Sequence, residues 1–97
     1  MPFEVKLTNT AKDQLSHLPR DTQQRIAHNI KTLEDFPFPR GNTIRRIQGT
    51  SKPIYRLRVG NYRVVYHLDV AKRQVIVLTV VHRQRLERAL NTLFTLL

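Results

Sequence analysis

The sequence predicts an α+β fold with an N-terminal strand, a helical hairpin, a three-stranded antiparallel meander that completes a four-stranded sheet, and a C-terminal helix. Polar and apolar residues alternate at 3–8 and 54–59, the period of two that half-buried strands show. Apolar residues recur at helical spacing at 11–18, 26–33 and 86–97. Because 97 residues suit one compact domain, we expect a single domain over residues 1–97.

The first third of the chain supplies one strand and two helices. Residues 3–8 form the first strand because every second residue is apolar. Thr8 or Thr10 can cap a short helix that Pro19 interrupts, and Asp21 can cap a longer one. The two helices therefore form a hairpin.

A loop and a β-hairpin follow. The prolines in segment 36–42 disfavour helical backbone in the residues before them, so this segment is a loop. Gly60-Asn61 is a two-residue turn signal between a strand at 54–59 and another from Tyr62 to about Leu68. The apolar side of this hairpin should face the helices.

The last strand and helix complete the prediction. After a turn at 69–73, residues 75–81 are almost continuously apolar and β-branched, which is typical of an interior strand. Docking of the first strand beside it would give the interior strand its second neighbour. The apolar stripe at 86–97 predicts a C-terminal helix that packs on the sheet, although a dimer contact or a helix displaced by a partner is an alternative.

The net charge of +10 is confined to one part of the chain. Residues 40–88 contain twelve Lys/Arg and two acids, whereas the other 48 residues carry five of each. Charge confined in this way predicts a face that binds a polyanion, with nucleic acid as the leading candidate. The chain has no cysteine and four scattered histidines, so we expect neither disulfides nor a metal or other cofactor.

The first residues lack the features of a signal peptide, and no run approaches the roughly 18 apolar residues of a membrane span. We therefore expect a cytoplasmic protein without a membrane partner.

A two-residue loop at 60–61 fixes the hairpin register. Arg58 then faces Arg63, and Arg56 lies diagonal to Arg63 on the same face, followed by His67 on the second strand. Facing cations repel, and a planar guanidinium suits phosphate oxygens. The hairpin therefore indicates an anion site, with a merely solvated outer face as the alternative. The tyrosines on the opposite face, Tyr55, Tyr62 and Tyr66, are predicted to belong to the core.

Such a face suits RNA cleavage without a metal ion. The RNA's own 2′-hydroxyl attacks the adjacent phosphorus, so the protein supplies a base, an acid and positive charge. Only Asp69 and Glu87 are acidic in the basic segment, which disfavours paired-carboxylate and two-metal chemistry. His67 and His82 are the candidates for proton transfer, and either can instead be an ordinary exposed histidine.

The segment 55–66, YRLRVGNYRVVY, followed by an apolar strand and Val81-His82-Arg83, resembles the RelE/ParE toxin superfamily of type II toxin–antitoxin systems. The resemblance covers nearly the whole chain and implies the RelE/ParE-like fold. Its RelE branch implies a ribosome-dependent endoribonuclease that cuts mRNA in the decoding site and is neutralised by an antitoxin. Its ParE branch implies a non-enzymatic inhibitor of DNA gyrase.

The resemblance also implies roles for single residues. Arg56 and Arg58 match two basic strand positions, Arg63 matches a phosphate-binding arginine, and Arg83 matches the arginine after the last strand. Alignment places Ala89 where RNA-cleaving relatives often carry a tyrosine, and His82 is the predicted substitute for it.

The predicted catalytic residues are therefore Arg56, Arg58, Arg63, His82 and Arg83. The predicted RNA- or phosphate-binding residues are Arg45, Arg46, Lys52, His67 and Arg85. The expected partners are a cognate antitoxin protein and mRNA on the ribosome, with DNA gyrase as the alternative. A nucleic-acid-binding module without toxicity also fits the charge.

Overall fold

The computed structural model describes residues 2–96, apart from the side chain of Leu96. It contains a mixed five-stranded sheet and three α-helices, in agreement with the predicted α+β class. In chain order the elements are β1 (Glu4–Leu7), α1 (Asn9–Ser16), α2 (Arg20–Thr32), β2 (Ile44–Arg46), β3 (Ile54–Val59), β4 (Tyr62–Asp69), β5 (Gln74–His82), a 3-10 turn (Arg83–Arg85) and α3 (Leu86–Leu96).

The strand order is β1-β5-β4-β3-β2. β1 runs parallel to β5, and the other neighbours are antiparallel. The predicted docking of the first strand beside the interior β5 is confirmed. The four-strand count is wrong because the three residues of β2 add a fifth strand at the edge. Three residues are too few to show a readable period.

The helix boundaries follow from local capping. Thr8 caps α1, where its Oγ1 accepts a hydrogen bond from the Ala11 N–H at 3.1 Å. The predicted Asp21 cap is wrong: the N-cap of α2 is Pro19, which makes no side-chain cap bond, and Asp21 lies inside the first turn. A carboxylate in the first turn still interacts favourably with the helix dipole. Leu97, the end of the predicted C-terminal stripe, lies outside the described residues.

The two faces of the sheet are covered differently. On the helical-hairpin face, α1 and α2 pack over a large core that includes Leu57, Val64, Tyr66 and Val77. Tyr66 is fully buried and donates from its hydroxyl to the Pro37 carbonyl at 2.6 Å, while Tyr55 and Tyr62 pack at the margin of this core. Burial raises the pKa of the Tyr66 phenol. The prediction that these tyrosines are core residues is confirmed.

The opposite face, which we call the arginine face, carries Arg56, Arg58 and Arg63. A second cluster forms there around Ile47, Ile54 and Val65, against which Leu86, Leu90, Leu93 and Phe94 pack. α3 therefore does pack on the sheet, as predicted, and it covers part of the arginine face. Among residues 2–96, no helix is both long enough and apolar enough to cross a membrane.

A β-bulge interrupts the pairing of β4 with β5. Val65 pairs with Thr79, whereas Tyr66 pairs with Val77, so β5 has one extra residue between them. The side-chain Oε1 of Gln14, on α1, accepts hydrogen bonds from the Val80 N–H at 2.7 Å and from the Thr79 hydroxyl at 3.0 Å. The bulge reverses the alternation of side chains beyond it, which decides the face on which the end of β5 projects.

Candidate nucleic-acid interface

The turn at Gly60-Asn61 fixes the site. Gly60 has a φ of +56°, and Asn61 has a negative φ, the pattern of a type II′ hairpin turn. A Cβ at residue 60 would also lie 3.0 Å from Nη1 of Arg25 on α2. Glycine is therefore favoured here both by backbone conformation and by the close approach of a guanidinium.

The predicted hairpin register is confirmed at each pair: Arg58 lies opposite Arg63 and Arg56 opposite Val65. β2 adds Arg45, which lies opposite Arg56 on the other side of β3. The backbone N–H of Arg83 donates to the Asn61 carbonyl at 2.7 Å, which ties the 3-10 turn to the hairpin turn. These contacts assemble five residues that we call the arginine cluster: Arg45, Arg56, Arg58, Arg63 and Arg83.

The electrostatics show that these cations are close neighbours. Burial, followed by the charges of Arg45 and Arg58, lowers the pKa of Arg56. Burial also lowers the pKa of Arg63, with smaller contributions from Arg56, Arg58 and Arg83. Among residues 2–96, no ion pair involves a member of the cluster. Because arginine stays protonated near neutral pH, the cluster is a concentrated positive charge without an internal counter-charge.

Three side chains of the cluster differ in their hydrogen bonds. Nη1 of Arg63 donates to the carbonyls of Gly60 at 3.0 Å and Tyr62 at 2.9 Å. Nη2 of Arg45 donates to Oδ1 of Asn42 at 2.7 Å. Nη1 of Arg56 is buried and has no hydrogen-bond partner. A buried N–H without a partner is costly, so an acceptor oxygen that reached Arg56 would remove that cost.

His82 lies on the other side of the sheet from the cluster. Its strand partner is Tyr62, whose ring it meets edge-on at 5.5 Å, whereas Val81 is the partner of Arg63. Nδ1 of His82 accepts a hydrogen bond from the Gln84 N–H at 3.2 Å and so caps the 3-10 turn. The structure therefore brings Arg83, but not the His82 ring, to the arginine cluster.

His67 and Lys52 are separated from the cluster, although His67 lies on the same face. Val65 and Ile54 lie between them and the arginines, and the side chains of α3 cover both of these residues. His67 and Lys52 instead line a small pocket of about 90 Å³. His67 therefore lies on the same face as the arginines, as predicted, but α3 separates it from them.

Arg46 and Arg85 also lie outside the cluster. Arg46 follows Arg45 in β2 and therefore projects from the opposite face, where its guanidinium lies 6.0 Å from the centre of the Tyr55 ring. Arg85 lines a mainly apolar groove of about 480 Å³ between α3, β5 and the start of α1. Arg88, which the sequence analysis did not single out, lies beside it, and Ala89 is part of the same lining.

The site is built from basic side chains. Among residues 2–96, no three His, Cys, Asp or Glu side chains come together in a way that could hold a metal ion. The cluster offers guanidinium donors to an anion, and its arrangement on a hairpin, an edge strand and a 3-10 turn fixes several of them at once. Phosphate oxygens are the acceptors that such donors match best.

Comparison with known proteins gives the family. A family model described as the ParE toxin of the type II toxin–antitoxin system parDE matches residues 5–87. Toxin RelG of Mycobacterium tuberculosis is 32% identical over 90 residues, which are 91% of this chain and 99% of that protein.

Solved structures agree with this assignment. A chain of the archaeal RelE–RelB complex from Pyrococcus horikoshii matches with a TM-score of 0.76 and 29% identity, over 88% of this chain and 99% of that one. A chain of the RelB–RelE antitoxin–toxin complex from Methanococcus jannaschii matches with a TM-score of 0.66 and 25% identity, over 84% and 94%. With the hairpin, the sheet order and the family match in agreement, the chain belongs to the RelE/ParE superfamily as a type II toxin.

Proposed function

We propose that this toxin is a ribosome-dependent endoribonuclease that cuts mRNA during translation. The observation that carries the proposal is the arginine cluster, in which the buried Nη1 of Arg56 has no partner and no carboxylate is paired with any member within residues 2–96. Such a site is suited to a phosphodiester that gains negative charge during the reaction.

In the proposed reaction the RNA supplies its own nucleophile. The 2′-oxygen forms a bond to the adjacent phosphorus, the bond to the 5′-oxygen breaks, and the products are a 2′,3′-cyclic phosphate and a 5′-hydroxyl. The 2′-hydroxyl proton passes to water, because the ring of His82, the base predicted from the sequence, lies on the other side of the sheet from the cluster. The leaving 5′-oxygen takes a proton from solvent. Arg56, Arg58, Arg63 and Arg83 stabilise the charge on the phosphorane oxygens.

The remaining basic residues would hold the RNA outside the reacting phosphate. Arg45 adjoins Arg56 and can bind the next phosphate along the strand. Lys52 and His67 lie beyond α3, and Arg85 lies at the groove beside β5. In this proposal these three residues contact more distant parts of the mRNA or the ribosome. Because translating ribosomes are in the cytoplasm, the proposed site of action is the cytoplasm.

We also propose that a cognate antitoxin binds this chain. The two similar chains named above, from Pyrococcus horikoshii and Methanococcus jannaschii, were solved in complexes of RelE with RelB. A net charge of +10 favours an acidic partner, and the apolar groove beside α3 offers it a surface edged by Arg85 and Arg88.

Inhibition of DNA gyrase is the second candidate function. Two observations favour it: the matching family model describes a ParE toxin, and Ala89 stands where RNA-cleaving relatives often carry a tyrosine. An inhibitor of this kind would bind gyrase without any proton transfer.

The deciding experiment maps new RNA ends on one defined mRNA, with and without translating ribosomes. Endoribonuclease action predicts cuts at in-frame codon positions only when ribosomes translate. Arg58→Gln should reduce cutting by at least about tenfold, because Arg58 is exposed and contributes charge rather than packing.

Arg20→Gln is the matched control, since it removes one charge from an exposed position at the start of α2. Equal cutting by the two variants would reject the assignment of the arginine cluster. Intact mRNA under both conditions, together with inhibition of gyrase supercoiling, would favour the second function.

A further inference from the structure

A second basic surface continues from the arginine cluster around the edge of the sheet. Arg45 projects from β2 onto the arginine face, and Arg46, the next residue, projects onto the opposite face. The edge strand therefore carries positive charge from one side of the sheet to the other. Asp35 and Asp69 bracket 33 residues that contain no carboxylate, so this charge has no acidic neighbour in the sequence.

Aromatic rings extend this surface on the far side. The Arg46 guanidinium lies over the Tyr55 ring, and Tyr55 stacks on Tyr66 with ring centres 5.8 Å apart. The Tyr66 hydroxyl holds the Pro37 carbonyl, which fixes the loop that carries Phe36 and Phe38. These two phenylalanines are exposed by 46% and 37%, respectively.

Arg40 completes the surface. Its guanidinium lies 6.0 Å from the centre of the Phe36 ring. Arg40, Arg45 and Arg46 also line an open groove of about 460 Å³. We call Phe36, Arg40, Arg45 and Arg46 the edge track.

The edge itself is partly closed to an added strand. The Arg40 N–H donates to the Ile44 carbonyl at 2.9 Å, and the Ile44 N–H donates to the Arg40 carbonyl at 3.2 Å. The outward backbone groups of Ile44 are thus occupied, which leaves only Arg46 of this three-residue strand to pair with a peptide. The surface therefore offers side-chain charge and ring faces, which suit phosphates and bases, rather than a template for a β-strand.

We propose that the edge track binds single-stranded RNA as it leaves the arginine cluster. Phosphates contact Arg45, Arg46 and Arg40 in that order, and one base stacks on the exposed face of Phe36. This inference rests on the proposed function, because the arginine cluster supplies the reacting phosphate from which the strand continues. It adds a binding surface on the opposite side of the sheet.

The test uses the absence of tryptophan from the sequence. Phe36→Trp places a single fluorescent reporter on the edge track, at an exposed position that tolerates the larger ring. His28→Trp places the same reporter on the exposed side of α2 as a control. A mixed-sequence 12-nucleotide single-stranded RNA should quench the fluorescence of Phe36→Trp and leave that of His28→Trp unchanged.

The arginines are tested in the Phe36→Trp background by salt titration of RNA binding. Each phosphate contact in a single strand contributes about 0.7 to the slope of log K against log salt. The double substitution Arg40→Gln and Arg46→Gln should therefore reduce the magnitude of this negative slope by about 1.4. Lys12→Gln with Arg20→Gln removes the same charge from exposed helical positions and should not lower it by that amount.

The proposal would be overturned if RNA quenched both reporters or neither. It would also be overturned if both pairs of variants reduced the magnitude of the salt slope equally. Quenching of Phe36→Trp by poly-glutamate instead of RNA would also overturn it and would identify a surface for an acidic protein. The cutting assay is independent: cutting without quenching rejects the edge track alone, whereas RNA quenching without cutting on ribosomes rejects the proposed function and retains the edge track as an RNA-binding surface.

Discussion

Arg58 and Arg63 face each other across the hairpin, and no carboxylate within residues 2–96 pairs with either. Facing like charges on antiparallel strands are destabilising. The lowered pKa of Arg56 and of Arg63 means that the charged forms of these groups destabilise the folded state. That cost is present at every pH below the folded pKa and is relieved only as the pH rises through it, far above neutrality. Salt and bound anions, rather than pH, should therefore control it near pH 7.

Removing Arg58 should consequently stabilise the fold. We expect Arg58→Gln to raise the free energy of unfolding at low salt by a few tenths of a kcal/mol, because the facing repulsion is lost. Inorganic sulfate should stabilise the wild type more than the variant, since only the wild type has the full cluster. Urea denaturation measures both effects, with Arg20→Gln as the charge-matched control. A clear loss of stability in Arg58→Gln would show that Arg58 makes a stabilising contact.

One pair of variants separates the capping role of His82 from the proton transfer that the sequence predicted for it. Its Nδ1 caps the 3-10 turn that carries Arg83, and its ring lies on the helical-hairpin face. His82→Asn retains a good capping acceptor, whereas His82→Ala loses a cap worth roughly 1 kcal/mol. We expect RNA cutting to survive in His82→Asn and to fall several-fold in His82→Ala. If both variants lose cutting equally, His82 transfers a proton, because asparagine cannot replace imidazole in that role.

The bulge in β5 decides which side chains of this strand and of the 3-10 turn reach the cluster. If side chains alternated regularly along the whole of β5 from Val75 and Val77, His82 would lie on the arginine face. The bulge moves it to the face that contains Tyr62 and leaves Val81 beside Arg63. Gln14 supplies the acceptor that satisfies the Val80 N–H at this point. A side chain on α1 therefore controls the geometry at the far end of β5.

Gln14→Leu tests this control. The substitution leaves the buried Val80 N–H without a partner, so we expect a loss of about 1–3 kcal/mol in the free energy of unfolding. Gln24→Leu, at an exposed position of α2, should change it by no more than about 0.5 kcal/mol. Thermal or urea unfolding of the two variants measures the difference. Equal stability of both would mean that water or a shifted backbone replaces the Gln14 acceptor.

Local signals in the sequence predicted more of the fold than of the site. A two-residue turn fixes register, so the pairing of Arg58 with Arg63 was predictable. The face of His82 was not, because residues 75–81 are apolar on both sides and show no alternation that would reveal a bulge. The position of α3 across Val65 depends on long-range packing, and β2 is too short to recognise.

The distribution of charge over the molecule leads to a final prediction. The helical hairpin belongs to the balanced part of the chain, whereas the arginine cluster and the edge track belong to the part that carries the whole net charge. Bound RNA should therefore slow amide hydrogen exchange at 40–46, 56–63 and 82–85, and leave α1 and α2 unchanged. Mass-spectrometric exchange with and without the 12-nucleotide RNA, at low salt, measures this pattern.

The contrast between the two halves of the molecule gives this measurement its control. A folded protein that binds RNA by net charge alone, through many orientations, would spread a small protection over all exposed basic segments, including Lys12 and Arg20 on the helices. Binding through a fixed cluster protects one continuous surface, because hydrogen bonds hold the guanidiniums of Arg45 and Arg63. The backbone of Arg83 is also tied to the hairpin turn. Uniform protection would therefore contradict both the arginine cluster and the edge track as specific RNA contacts. Protection limited to 56–63 and 82–85, with 40–46 unchanged, would contradict the edge track and the RNA contact of Arg45, and would leave the rest of the arginine cluster supported.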